Sequence, residues 1–151
     1  MKITAFELKA MQRMQPGALT LNGFLGSDTR PLNEIIDDDA KVLARLHYSQ
    51  EDVAARMEYF FRISWETFLG DELVDGKYEV QTDVFRGKLP CPYGHVGLYR
   101  KAITSVTNST NGISVIWTPL NIHMIRDHGF FEGKGSAFRL EPDILVRAIF
   151  E

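Results

Sequence analysis

Near Asp71 the spacing of apolar residues changes, and this change constrains the fold more than any other feature of the chain. Upstream, Leu32, Ile35, Ile36, Leu43 and Leu46, and then Val53, Met57, Phe60, Phe61, Ser64, Trp65 and Phe68, recur by threes, fours and sevens. That is the period of helices with one buried face. Downstream, Tyr78, Val80, Thr82 and Val84 alternate as a strand does. The run Asn108-Ser109-Thr110-Asn111-Gly112, set between β-branched stretches, signals a hairpin. Strands joined by short turns pair antiparallel, because parallel neighbours need a crossover of roughly a dozen residues or more. The pattern therefore predicts an α+β fold, with helices packed on a three- or four-stranded antiparallel sheet. It reads as one domain over 1–151, helical to about residue 70 and strand-rich from about 71.

Local signals refine this plan. Thr4-Ala5-Phe6-Glu7 has capping-box spacing and predicts a short helix over about 4–14, stopped at Pro16-Gly17. Turn formers crowd residues 17–31, and Leu19, Leu21, Phe24 and Leu25 among them suggest a covering segment. Asp37-Asp38-Asp39 reads as the cap of a helix beginning near Ala40, since Asp suits helix starts and disfavours interiors. Ser49-Gln50-Glu51-Asp52 starts the best-defined helix, which Gly70 would end. Two prolines and two glycines make 87–95 an irregular loop, followed by strands over about Val96–Thr107 and Ile113–Thr118. Thr118-Pro119 opens a helix that runs to about His128 and stops at Gly129. Phe130–Ser136 reads as loop, and Pro142 tips the apolar segment 144–150 towards helix.

Composition excludes several functions. With 44% hydrophobic and 25% charged residues, the 151-residue chain is globular rather than disordered. A net charge of −3 provides no electrostatic footprint for nucleic acid. No apolar run approaches the roughly 18–20 residues of a membrane span, and the first residues lack the apolar stretch of a secretory signal. Cys91 is the single cysteine, so no intramolecular disulfide forms, which fits a reducing, cytoplasmic setting.

Motif spacing narrows the chemistry. Gly133-Lys134-Gly135-Ser136 fails as a nucleotide P-loop, because the required upstream glycine and the following Ser/Thr are missing. A looser anion nest of glycine amides beside Lys134 survives. Ser49–Met57 resembles the first helix of a helix-turn-helix, but no breaker follows, so the aromatic stripe is assigned to the core. Cys91-x-x-x-His95 and His123-x-x-x-x-His128 have roughly the spacing of zinc ligands. Residues five apart on a helix diverge by about 140°, however, so this reading assigns no metal and no cofactor.

His123 and Asp127, four apart, share a helix face, so the carboxylate should orient the imidazole and favour its charged form. The helix C-terminus should favour imidazolium at His128 too. Residues 123–136 thus define a candidate site. In it His123 and Asp127 are the acid–base pair, Arg126 and Lys134 hold a carboxylate or phosphate, and His95, His128, Glu132, Phe130 and Phe131 complete the lining. The competing expectation, slightly preferred because no reaction-specific constellation is visible, is a noncatalytic interaction protein whose patch is Phe130, Phe131 and the charges around them. The partners expected are therefore another protein or a small anion. Self-association stays open, while membrane and nucleic acid are disfavoured.

Overall fold

The computed structural model describes residues 4–67 and 72–151. Three helices come first: α1 (Ala5–Arg13), α2 (Leu32–Arg45) and α3 (Gln50–Glu66). Strands β1 (Glu72–Val74), β2 (Tyr78–Pro90), β3 (Leu98–Asn108) and β4 (Ser114–Trp117) follow, then α4 (Pro119–His128) and α5 (Pro142–Phe150). The four strands lie in chain order, each antiparallel to the next. This is the α+β arrangement that the change of period implies. Phe68 and the helix stop expected at Gly70 lie outside the described residues.

Most starts and stops follow from side-chain chemistry. Thr4 accepts from the Glu7 amide, and Ser49 and Asp52 form a reciprocal capping box. Two boundaries differ from the sequence reading. Helix α2 begins at Leu32 and runs straight through the Asp triplet. The interior aspartates are tolerated because arginines meet them: Arg30 pairs with Asp38 at 2.7 Å, and Arg139 grips Asp39 through both terminal nitrogens at 2.5 and 2.8 Å. Both partners of that second pair are buried, so α2 is bonded directly to the segment before α5.

The second difference lies at 87–90, which is strand rather than loop. The pairing of β2 with β3 is interrupted between Val84 and Lys88 and then resumes as Lys88↔Arg100, Leu89↔Tyr99 and Pro90↔Leu98. Gly87, at φ +105°, supplies the left-handed backbone that this irregularity needs. Pro90 stands last in the strand, where a missing N–H costs least.

Two apolar clusters form the interior. One joins Val53, Met57 and Phe60 of α3 to Val80, Val106 and Trp117 of the sheet and to Leu145 and Ile149 of α5. The α3 stripe is narrower than expected, with Phe61 and Trp65 only half-buried beside it. The other cluster joins Ala10 and Met14 of α1, Phe24, Leu25, Ile35, Cys91, Tyr93, Leu120 and Met124. In the covering segment Phe24 and Leu25 are buried as anticipated, whereas Leu21 faces solvent. Phe130 belongs to the second cluster and its neighbour Phe131 to the first, and each is at most 1% exposed. Neither can form the aromatic surface patch anticipated for them. Among the described residues no helix is long and apolar enough to cross a membrane.

Candidate metal centre

Helix α4 is fixed at both ends. The Thr118 hydroxyl accepts from the Asn121 amide, the Asn121 side-chain oxygen accepts from the Thr118 amide, and Gly129 closes the helix at φ +64°. The loop after β2 is held against it. The Gly94 amide donates to the Cys91 carbonyl (2.9 Å), and Arg13 of α1 donates to the Pro92 carbonyl (3.1 Å).

Together these elements bring Cys91, His95, His123 and His128 into one cluster, with one donor atom from each lying within 4.8 Å of all the others. Cys91 Sγ is 3.6 Å from His128 Nε2. The expected divergence of His123 and His128 does not keep them apart: their ring centroids are 5.3 Å apart, with planes at 83°. Wheel angles describe where side chains leave the helix axis. Here the 91–95 loop lies over the last turns of α4, so both imidazoles turn inward to meet it. The five-residue spacing of His123 and His128 therefore does not exclude a shared metal.

Aromatic walls position the rings. Tyr93 stacks on His128 at 3.8 Å and 5°, and Tyr99 lies against His123 at 4.8 Å and 25°. Asp127 Oδ2 is 3.2 Å from His123 Nδ1 and 4.0 Å from His95 Nδ1. The pairing of His123 with Asp127 is thus present. With its Nδ1 on a carboxylate, His123 has Nε2 left for another partner. That nitrogen is buried and has none.

The electrostatics reverse the expected sign. Burial lowers the His123 pKa, and Asp127 only partly offsets it. Burial pushes His128 down to about 4, helped by the neighbouring His95 and His123. The desolvation of a ring packed under Tyr93 outweighs the helix dipole that was expected to favour imidazolium there. Burial raises the Cys91 thiol. At neutral pH these two imidazoles are therefore neutral, the form that ligates a metal, whereas the thiol must give up a proton to do so.

The remaining candidates do not converge on this cluster. Arg126 pairs with Glu58 of α3 at 2.5 Å. The Lys134 amide donates to Asp28 and its carbonyl accepts from the Ser27 amide, so the glycine-rich nest is filled by the protein's own carboxylate. Glu132 is buried, bonded to Asn121 and Ser136. The anion clamp of Arg126 and Lys134 is not assembled. Nothing in the sequence marked Tyr93 and Tyr99 as ring supports, because their partners are remote in the chain.

A comparison of the chain with protein-family models, curated proteins and solved structures found no match.

Proposed function

We propose that this is a metal-binding protein that holds one transition-metal ion of the zinc class on Cys91, His95, His123 and His128. The observation that carries the reading is the cluster itself, four ligating side chains with a donor atom of each within 4.8 Å of the others, together with His123 Nε2, a buried nitrogen without a hydrogen-bond partner on a ring whose Nδ1 lies 3.2 Å from Asp127. An orphaned buried polar atom is costly. A carboxylate–histidine pair is the arrangement that fixes the tautomer and raises ligand basicity at metal sites.

One thiolate with three imidazoles suits zinc and its neighbours rather than magnesium or calcium, which take oxygen donors. Tetrahedral zinc places its N and S donors about 3.3–3.6 Å apart, so binding draws the present 4.8 Å spread inward by about 1 Å. Exposed His95 sits between Gly94 and Gly97, which adopt φ +88° and +124°, on the part of the site best able to move. Four protein donors make a closed site, the kind that stabilises structure rather than one that presents an open position to substrate. The ion would clasp the 91–97 loop onto the end of α4.

Zinc titration against a chromophoric competitor chelator, with cobalt(II) spectra as a second readout, tests this. The expected result is one ion per chain, with a thiolate-to-cobalt charge-transfer band that is lost in Cys91→Ser and a stoichiometry lost in His123→Ala. Wild-type protein that takes up no zinc, or Cys91→Ser with unchanged cobalt spectra, would overturn the assignment.

A further inference from the structure

A second site lies at the start of α4 and shares no ligand with the metal cluster. Leu89, Thr118, Leu120, Ala137 and Phe138 enclose a cavity with the 20–24 loop, and Glu132 forms part of its wall. Its volume is about 140 Å³. An apolar cavity of roughly 150 Å³ is large enough to take benzene. A second cavity of about 220 Å³ adjoins it and shares Leu89, Thr118, Leu120 and Phe138.

Glu132 is out of place in such a wall unless it has work there. Its side chain is almost wholly buried, at 3% residue exposure, and its backbone stands at φ +67°. A residue with a side chain held in that region is strained, and such strain gathers at functional sites. Asn121 donates to one carboxyl oxygen at 2.7 Å and Ser136 to the other at 2.6 Å. A carboxylate has about four lone-pair sites, so two acceptor positions remain.

No cation neutralises the carboxyl directly. Arg139 donates to the Glu132 backbone carbonyl (2.8 Å) and spends its other nitrogens on Asp39 and Glu141. Among the described residues no lysine, arginine or histidine lines the smaller cavity. A buried carboxylate in an apolar pocket without a counter-ion fits a ligand that brings its own positive charge.

We infer that this cavity binds a small organic amine with a ring-sized apolar body, its ammonium group donating to Glu132 and its ring lying against Phe24, Leu120 and Phe138. The ammonium has three donors to offer, and the carboxylate has two free acceptor positions. The adjoining cavity is rimmed by Arg100 and Lys101, which favours a single positive charge on the ligand, at the Glu132 end.

The test compares three ligands of one shape on the full chain by isothermal titration and amide chemical-shift mapping: benzylamine, benzyl alcohol and benzoate. Benzylamine should bind at least tenfold more tightly than benzyl alcohol, and benzoate should not bind. The shifts should centre on residues 20–24, 118–120 and 132–138. Glu132→Gln should bring benzylamine down to the level of benzyl alcohol. Ala137→Leu, which narrows the cavity from an exposed wall position, should weaken both without altering the charge preference. The inference is overturned if benzoate matches benzylamine, if the wild type binds none of the three, or if folded Glu132→Gln keeps its amine preference. The wild-type series decides the matter even where that variant does not fold.

Discussion

Glu132→Gln gives the sharpest thermodynamic prediction. Burial holds the Glu132 carboxyl in its protonated form up to about 7, against an ordinary 4.5, even though Ser136 and Asn121 pull the other way. The unfolded chain therefore releases this proton at lower pH than the native protein does. Between 4.5 and about 7 the native state binds more protons, so raising pH favours unfolding, and this group's contribution to stability falls across that window. At about 1.4 kcal/mol per pH unit the loss totals about 3 kcal/mol, complete above pH 7. Glutamine keeps the shape and never ionises, so the variant escapes the loss.

The wild-type curve alone will not display it. His123 and His128 are held neutral by burial, so their contribution runs oppositely, rising with pH below 6.5, over a window that for His128 reaches down to about 4. The difference between variant and wild type cancels the histidines. Urea denaturation of both proteins from pH 4.5 to 8.5, with chelator present to remove metal linkage, should show that difference moving by about 3 kcal/mol in favour of glutamine. A difference constant to within about 1 kcal/mol would refute the argument, because Glu132 would then ionise alike in both states.

Asp127→Asn should leave zinc at one per chain but weaken it about 10–100-fold by chelator competition, since the carboxylate acts on the metal through His123; unchanged affinity would deny Asp127 that role. In the core, Phe60→Ala should cost about 3–5 kcal/mol in denaturant. Trp65→Ala should cost roughly 1–2 kcal/mol, because Trp65 is half-buried and rests under Arg100 at 5.2 Å. Equal losses at the two positions would show that the stripe is wider than the structure makes it.

The sequence was most legible where its signals act over one turn. Thr118-Pro119 and Gly129 bounded α4 correctly because caps and left-handed stops are local chemistry. The Asp triplet misled for the opposite reason. The burial of Asp39 inside α2 depends on Arg139, a hundred residues away, and no short window along the chain contains both partners. The candidate site divides the same way. His123 and Asp127 were paired from helical spacing, and they do meet. The approach of Cys91 to His128 depends on how the loop after β2 folds back on α4, and helical angles are silent about that. The sequence places Glu132 in the lining of the 123–136 site, but its burial, and its place in the wall of a different cavity, are set by residues distant in the chain.

The order of the strands has a consequence for synthesis. Among the described residues all four pair with their chain neighbours alone, so each strand can pair by a local hairpin as soon as its successor has been made. Helix α3 precedes that sheet in the chain, yet buries Phe60 against Tyr78 and Trp117. Residue 117 is translated about 60 residues after Phe60, roughly 3–12 s later at 5–20 residues per second. For that interval a nascent amphipathic helix displays its aromatic face with nothing to cover it. The apolar surface that anchors the finished protein is, during its making, the one on which wrong contacts form most easily.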